Sequence, residues 1–116
     1  MYYIVVMSAQ PLGEFEQVVI LAILRLEDQA YGVSIRREIR SRIGRNVAPG
    51  ALYTTLDRLE TKGLLVSRMG GPTTERGGRA KRFYVVTSNG KMRIAEAQKA
   101  FRKMLAGLEL LGGTDG

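Results

Sequence analysis

PGALYTTLDRLETKG, running from Pro49 to Gly63, is the stretch on which the fold turns. A proline at the first position of a helix gives up only an N–H that has no partner there. Leu52, Leu56 and Leu59 then recur at i, i+4 and i+7, which is one stripe of a helix, and Gly63 stands where the helix should stop. The other face holds Ala51, Thr54, Thr55 and Arg58, with Gly50 at the entry and Tyr53 at the flank. Short or hydrogen-bonding side chains around an arginine suit a surface that enters a groove and meets base edges. An amphipathic helix with a merely solvated face would look the same, so its neighbours have to decide.

Upstream, YGVSIRREIRSRI (31–43) puts Tyr31, Ile35, Ile39 and Ile43 at every fourth residue. Arg36, Arg37, Arg40 and Arg42 fall off that line, and Gly44 takes the C-cap place. Before it, LGEFEQVVILAILRL (12–26) opens with Glu14 and Glu16, which favour the positive end of a helix. From Phe15 to Leu26 only Glu16, Gln17 and Arg25 are polar. A helix this apolar must be covered on most sides. Its own core takes one side, and a partner chain is expected on another.

Downstream, Leu64–Met69 and Phe83–Thr87 read as two strands of a hairpin. Between them GGPTTERGGRAKR (70–82) holds four glycines and a proline, the composition of a loop. It sets Arg76, Arg79, Lys81 and Arg82 against Glu75 alone, a net charge of +3. Such a tip suits phosphates or the minor groove. Thr87 or Ser88 can then cap a last helix running to about Leu108. Ile94, Ala97, Phe101, Met104 or Leu105, and Leu108 form its apolar stripe, which a single small domain has nothing to cover. Two helices joined by a short turn and followed by a basic hairpin make a winged helix-turn-helix. The expected fold class is mainly α with a small β-hairpin.

Charge supports the same reading. The 116-residue chain carries +7. Arg36 to Arg82 holds twelve Lys/Arg against four Asp/Glu, a net of +8, while the rest holds six against seven. A localised positive field is the footprint of a polyanion binder. With no Cys and no His, thiol nucleophiles, thiolate or imidazole metal sites and unshifted near-neutral bases are excluded. No cofactor or metal is expected, and an enzyme is disfavoured. No apolar run is long enough for a membrane span. Met1–Met7 has no basic leader, so it does not read as a signal peptide, and the cytoplasm is the default location. Met7 could itself be the start, which would make residues 1–6 an upstream artefact or an added arm.

Four blocks together resemble the PadR-like regulators. GALYTTLDRLETKGL (50–64) is similar to their recognition-helix signature and AYGVSIRREI (30–39) to their second helix. ERGGRAKRFYVVTSNG (75–90) is similar to their wing and LGEFEQVVILAIL (12–24) to their opening helix. The resemblance spans about residues 12–108 and looks like the compact branch with one short C-terminal helix. It implies a regulator of transcription, expected to be a repressor, that binds double-stranded DNA as a homodimer on an inverted repeat. It implies DNA contacts from Gly50, Ala51, Thr54 and Arg58, Tyr53 near the backbone, and Arg79 and Lys81 in the wing. Thr55 is added from the helix face, with Arg36, Arg37, Arg76 and Arg82 from the second helix and wing. Phe15, Val19, Ala97, Phe101, Met104, Leu105 and Leu108 are the expected dimer seam.

The layout expected is an extension (1–11), the DNA-binding domain (12–87), the dimerisation helix (88–108) and a frayed tail (109–116). Two departures stand out. Ala48 offers no capping side chain to the recognition helix. The chain also has no Trp, so the tryptophan sandwich with which some compact members hold planar drugs has no support; a small-molecule effector is implied by the family but not identified. The rival reading is a protein-interaction winged helix that binds an acidic partner.

Overall fold

The computed structural model describes residues 10–70 and 80–110. Helix α1 spans Glu14–Leu26 and is followed by a 3-10 turn, Glu27–Gln29. Helices α2 (Gly32–Ile43) and α3 (Pro49–Thr61) come next, then strands β1 (Leu65–Met69) and β2 (Arg82–Val86), and helix α4 (Ser88–Leu105). This is a winged-helix architecture, mainly helical with a small hairpin. The strands pair antiparallel in the register Leu65 to Val86 through Met69 to Arg82.

Local chemistry places each boundary near its expected residue. Gly44 ends α2 in the left-handed conformation, φ 68°, where a Cβ would be strained. Pro49 opens α3, and Ala48 gives it no side-chain cap. Tyr31 departs from expectation. It was read as the first residue of the α2 stripe, yet it caps α2 and bridges to Phe83 in extended form. The Tyr84 N–H donates to the Ala30 carbonyl beside it. Residues 30–31 thus line the free edge of β2, which would otherwise present unpaired backbone.

The core is shared by all three leading helices and the hairpin. Ile20 and Ile23 of α1, Ile35 and Ile39 of α2, and Leu52, Leu56 and Leu59 of α3 are buried with Leu64, Leu65, Tyr84 and Val86. Val19 is fully enclosed in this core, so it is removed from the expected dimer seam: a side chain with no exposed surface has none to offer a partner. Ile43 goes the other way. It continues the stripe in sequence but is exposed at the last residue of α2.

The corner between β2 and α4 is locked to the corner between α3 and β1. The Thr87 hydroxyl donates to the Gly63 carbonyl and accepts from the Gly90 N–H, so the N-cap of α4 is also a tertiary tie. Gly90 lies against the Leu64 carbonyl, where a Cβ would collide with backbone. These contacts aim α4 away from the domain. Only Ile94 and Gly90 of the helix are buried, and Phe101, Met104 and Leu105 are exposed. The helix is shorter than expected. It stops at Leu105, and Gly107 turns the chain at φ 83°, so Leu108 lies beyond the helix and off its stripe.

Candidate nucleic-acid interface

Helix α3 buries Leu52, Thr55, Leu56 and Leu59 and leaves the remainder of its surface outside. Gly50, Ala51, Tyr53, Thr54 and Arg58 are exposed together on that outer side. Thr55 is a correction: it is 5% exposed and cannot reach a groove. Its position was legible, because i+3 from Leu52 and i+4 before Leu59 is the middle of the buried stripe. The Tyr53 side chain leans over the start of α2, where its hydroxyl occupies the space a Cβ on Gly32 would need. Glycine at 32 is therefore what lets Tyr53 lie across the two helices.

Arginines of α2 and the turn after it sort into two groups. Arg42 is paired with Glu38 at 2.8 Å, and Arg45 with Glu14 at 2.9 Å while lying over the Phe15 ring. These charges are compensated inside the chain. Arg36 donates its Nε–H to the Val47 carbonyl at 2.8 Å and has no carboxylate partner among the described residues. Arg37 and Arg40 are exposed and form no ion pair among the described residues.

At the far end of α3 sits a carboxylate that the sequence reading gave only a helix-end role. Glu16 accepts from the Gly13 N–H, caps α1, and also meets Lys62 at 3.1 Å and Arg58 at 3.9 Å. Burial pushes its carboxyl up, but the Gly13 N–H, the Lys62 ammonium and the Arg58 guanidinium more than offset this and hold it below the ordinary 4.5. No local signal announces a partner 46 residues away. The exposed Arg58 head is thus oriented from α1 while half of it stays open to solvent.

Glu16→Gln should cost about 1–2 kcal/mol at neutral pH, since charge-assisted bonds are lost to partly exposed partners. A depressed carboxyl stabilises the fold above its unfolded value, and that contribution disappears as pH falls through the folded value. The gap between variant and wild type should therefore close from pH 7 to pH 3 in urea unfolding. A gap equally wide at pH 3 would mean that packing, rather than charge, is what Glu16 supplies.

At the root of the wing, Tyr31 and Phe83 meet edge to face with centroids 5.5 Å apart. Lys81 Nζ lies 4.2 Å from the Tyr31 ring centre and the Arg68 guanidinium 5.5 Å from that of Phe83. Arg82 donates to the Ser67 hydroxyl, which donates in turn to Glu60. Lys81 and Arg82 are therefore built into the hairpin base instead of standing free at its tip. Arg76 and Arg79 lie outside the described residues. Arg68, with its cation–π contact, was not singled out from the sequence.

Residues 20–96 match the family described as the transcriptional regulator PadR-like family. The chain belongs to that family. This PadR-like protein is accordingly a DNA-binding transcriptional regulator and not an enzyme. It is 38% identical over 87 residues to the transcriptional regulator Rv3488 of Mycobacterium tuberculosis, covering 75% of each chain. Among solved structures it is similar to a PadR family transcription regulator from Clostridium difficile, with 27% identity, a TM-score of 0.65, and 78% of this chain and 90% of that one covered. The winged-helix DNA-binding protein F93 from STIV shares the fold at 16% identity and a TM-score of 0.66, over 86% of this chain and all of that one. No described helix of the PadR-like protein is long and apolar enough to cross a membrane.

Proposed function

We propose that the protein is a repressor that works in the cytoplasm as a homodimer on an inverted repeat. Helix α3 would enter the major groove with Gly50, Ala51, Thr54 and Arg58 toward the bases and Tyr53 toward the backbone. Arg36 and Arg37 of α2, with Arg76, Arg79, Lys81 and Arg82 of the wing, would hold phosphates or the minor groove. The observation that carries this reading is the outer face of α3, polar and exposed, together with Arg36, Arg37 and Arg40 of α2, which line a recess at the turn leading into α3 and have no carboxylate partner among the described residues. A surface left uncompensated in this way is adapted to an external anion.

Dimerisation rests on α4. Phe101 is 63% and Met104 77% exposed, and Ala97 is half-buried beside them. An apolar stripe on a helix that projects from its domain needs a cover. On the same chain, Val18, Leu21, Ala22 and Ile43 line an apolar groove of about 230 Å³ between α1 and α2. A two-fold pairing would bring the partner's last helix against the first helix, with Phe15 half-buried at its start.

Footprinting on the intergenic DNA beside the gene tests the whole reading. Two protected half-sites about 10 base pairs apart, or a multiple of that, are expected. Uniform coverage without a footprint would mean that the protein holds DNA without reading it, and one protected half-site would count against the dimer.

A further inference from the structure

The turn between α2 and α3 sets the angle at which the recognition helix starts, and it does so without the usual device. Ala48 caps nothing, so the helix start is not fixed by a local side chain. The fixing bond comes from one helix earlier: Arg36 Nε–H donates to the carbonyl of Val47, two residues ahead of Pro49. A guanidinium has five N–H donors in a planar fork, so one donated to Val47 leaves the terminal groups for another acceptor.

Beside this bond lies a groove of about 170 Å³ lined by Val33, Arg36, Arg37, Arg40, Asn46 and Val47. Its three arginines have no carboxylate partner among the described residues, whereas Arg42 and Arg45, outside it, are both paired. Among the described residues, the two arginines closest to the turn are thus neutralised while the three in this recess are not. Asn46 adds an amide donor at the rim.

We infer that Arg36 is a two-sided clamp: its Nε–H pins the Val47 carbonyl ahead of the recognition helix, while its terminal N–H groups close with Arg37, Arg40 and Asn46 on one phosphate of the DNA backbone. Neither Arg40 nor Asn46 belongs to the interface proposed above. The inference rests on the DNA-binding reading and deepens it, because the phosphate and the start of the reading helix are held by the same planar group. Backbone contact then fixes the pose of α3 in addition to supplying attraction. Lysine at 36 would keep the charge, but a single ammonium cannot hold a carbonyl on one side and span a phosphate on the other.

The test uses the full chain and a mixed-sequence duplex of about 24 base pairs, titrated over a potassium chloride series. Wild type is compared with Arg37→Ala/Arg40→Ala, Arg36→Lys, and Arg42→Ala as a control outside the groove. One phosphate lost per protomer should flatten the slope of log affinity against log salt by about 0.9 per protomer in the double variant, and Arg42→Ala should leave it unchanged. Arg36→Lys should speed amide exchange at Leu52, whose N–H donates to the Ala48 carbonyl in the first turn of α3, with the far end of the helix unaffected.

If wild type binds with a steep salt slope and the double variant matches it, the groove holds no phosphate and the clamp is wrong while the DNA reading stands. If wild type shows no salt-dependent binding, the DNA reading falls and the clamp with it. If Arg36→Lys exchanges like wild type at Leu52, the pin on the helix start is wrong.

Discussion

Affinity for duplex DNA should fall by about 10³–10⁵ between roughly 50 and 200 mM salt. That is the consequence of releasing counterions from some 6–10 phosphates per molecule of the proposed dimer. Each protomer offers Arg36, Arg37 and Arg40 on α2, none of them neutralised by a carboxylate among the described residues. Arg68, Lys81 and Arg82 stand at the hairpin, and Arg76 and Arg79 come from the wing sequence. Arg42 and Arg45 are left out because Glu38 and Glu14 already hold them. The eight cationic side chains offered per protomer exceed the roughly three to five phosphate contacts that such a slope requires. Fluorescence anisotropy with a labelled duplex at four salt concentrations measures the slope. A flat response would remove nucleic acid from consideration and favour an acidic protein partner.

Phe101→Asp combined with Leu105→Asp should turn the protein into a folded monomer. In the isolated chain both side chains are exposed, Phe101 at 63% and Leu105 at 36%, so aspartate there meets water and the fold has no reason to fail. In the dimer each carboxylate would be buried without a partner, at a cost of several kcal/mol per site. Two such sites on each of two protomers exceed what an interface built on a short helix can absorb. Sedimentation should give the mass of one chain, and circular dichroism should keep the helical signal of wild type. DNA affinity should drop as well, since one protomer presents half of the contacts. If the double variant remains a folded dimer, the seam lies away from α4.

Most of the architecture was legible because it rests on signals that survive in a single sequence. Leu52, Leu56 and Leu59 name a buried face by spacing alone. Pro49, Gly44 and Gly63 punctuate the helices through backbone chemistry that needs no partner. Thr87 caps α4 as its hydroxyl suggested. Misreadings arose where tertiary structure chose between equal local options. Val19 and Leu21 both belong to an apolar helix, yet only the folded core shows that Val19 is enclosed and Leu21 partly exposed. Tyr31 fits a helical period, but the edge of β2 claims it as an extended residue.

The candidate site divides along the same line. Exposure of Thr54 and Arg58 follows from the helix period, and Thr55 was misplaced by neglecting that period. Which arginines are free was only partly legible in the sequence. Glu38 stands four residues before Arg42, a helix pairing that Arg40 lacks because Arg36 and Arg37 precede it. Arg45, however, reaches Glu14 and Lys62 reaches Glu16 across separations of 31 and 46 residues that no local pattern announces.

The most direct measurement is the ratio of cognate to random DNA affinity, taken at one salt concentration for wild type, Thr54→Ala/Arg58→Ala, and Arg79→Ala/Lys81→Ala. The helix variant should lose about 1–3 kcal/mol per base-reading side chain on the cognate site and little on random DNA, so its ratio collapses. The wing variant should weaken on both DNAs alike and keep its ratio. A helix variant that keeps its ratio while the wing variant loses it would contradict the account, because sequence would then be read by the hairpin and not by α3.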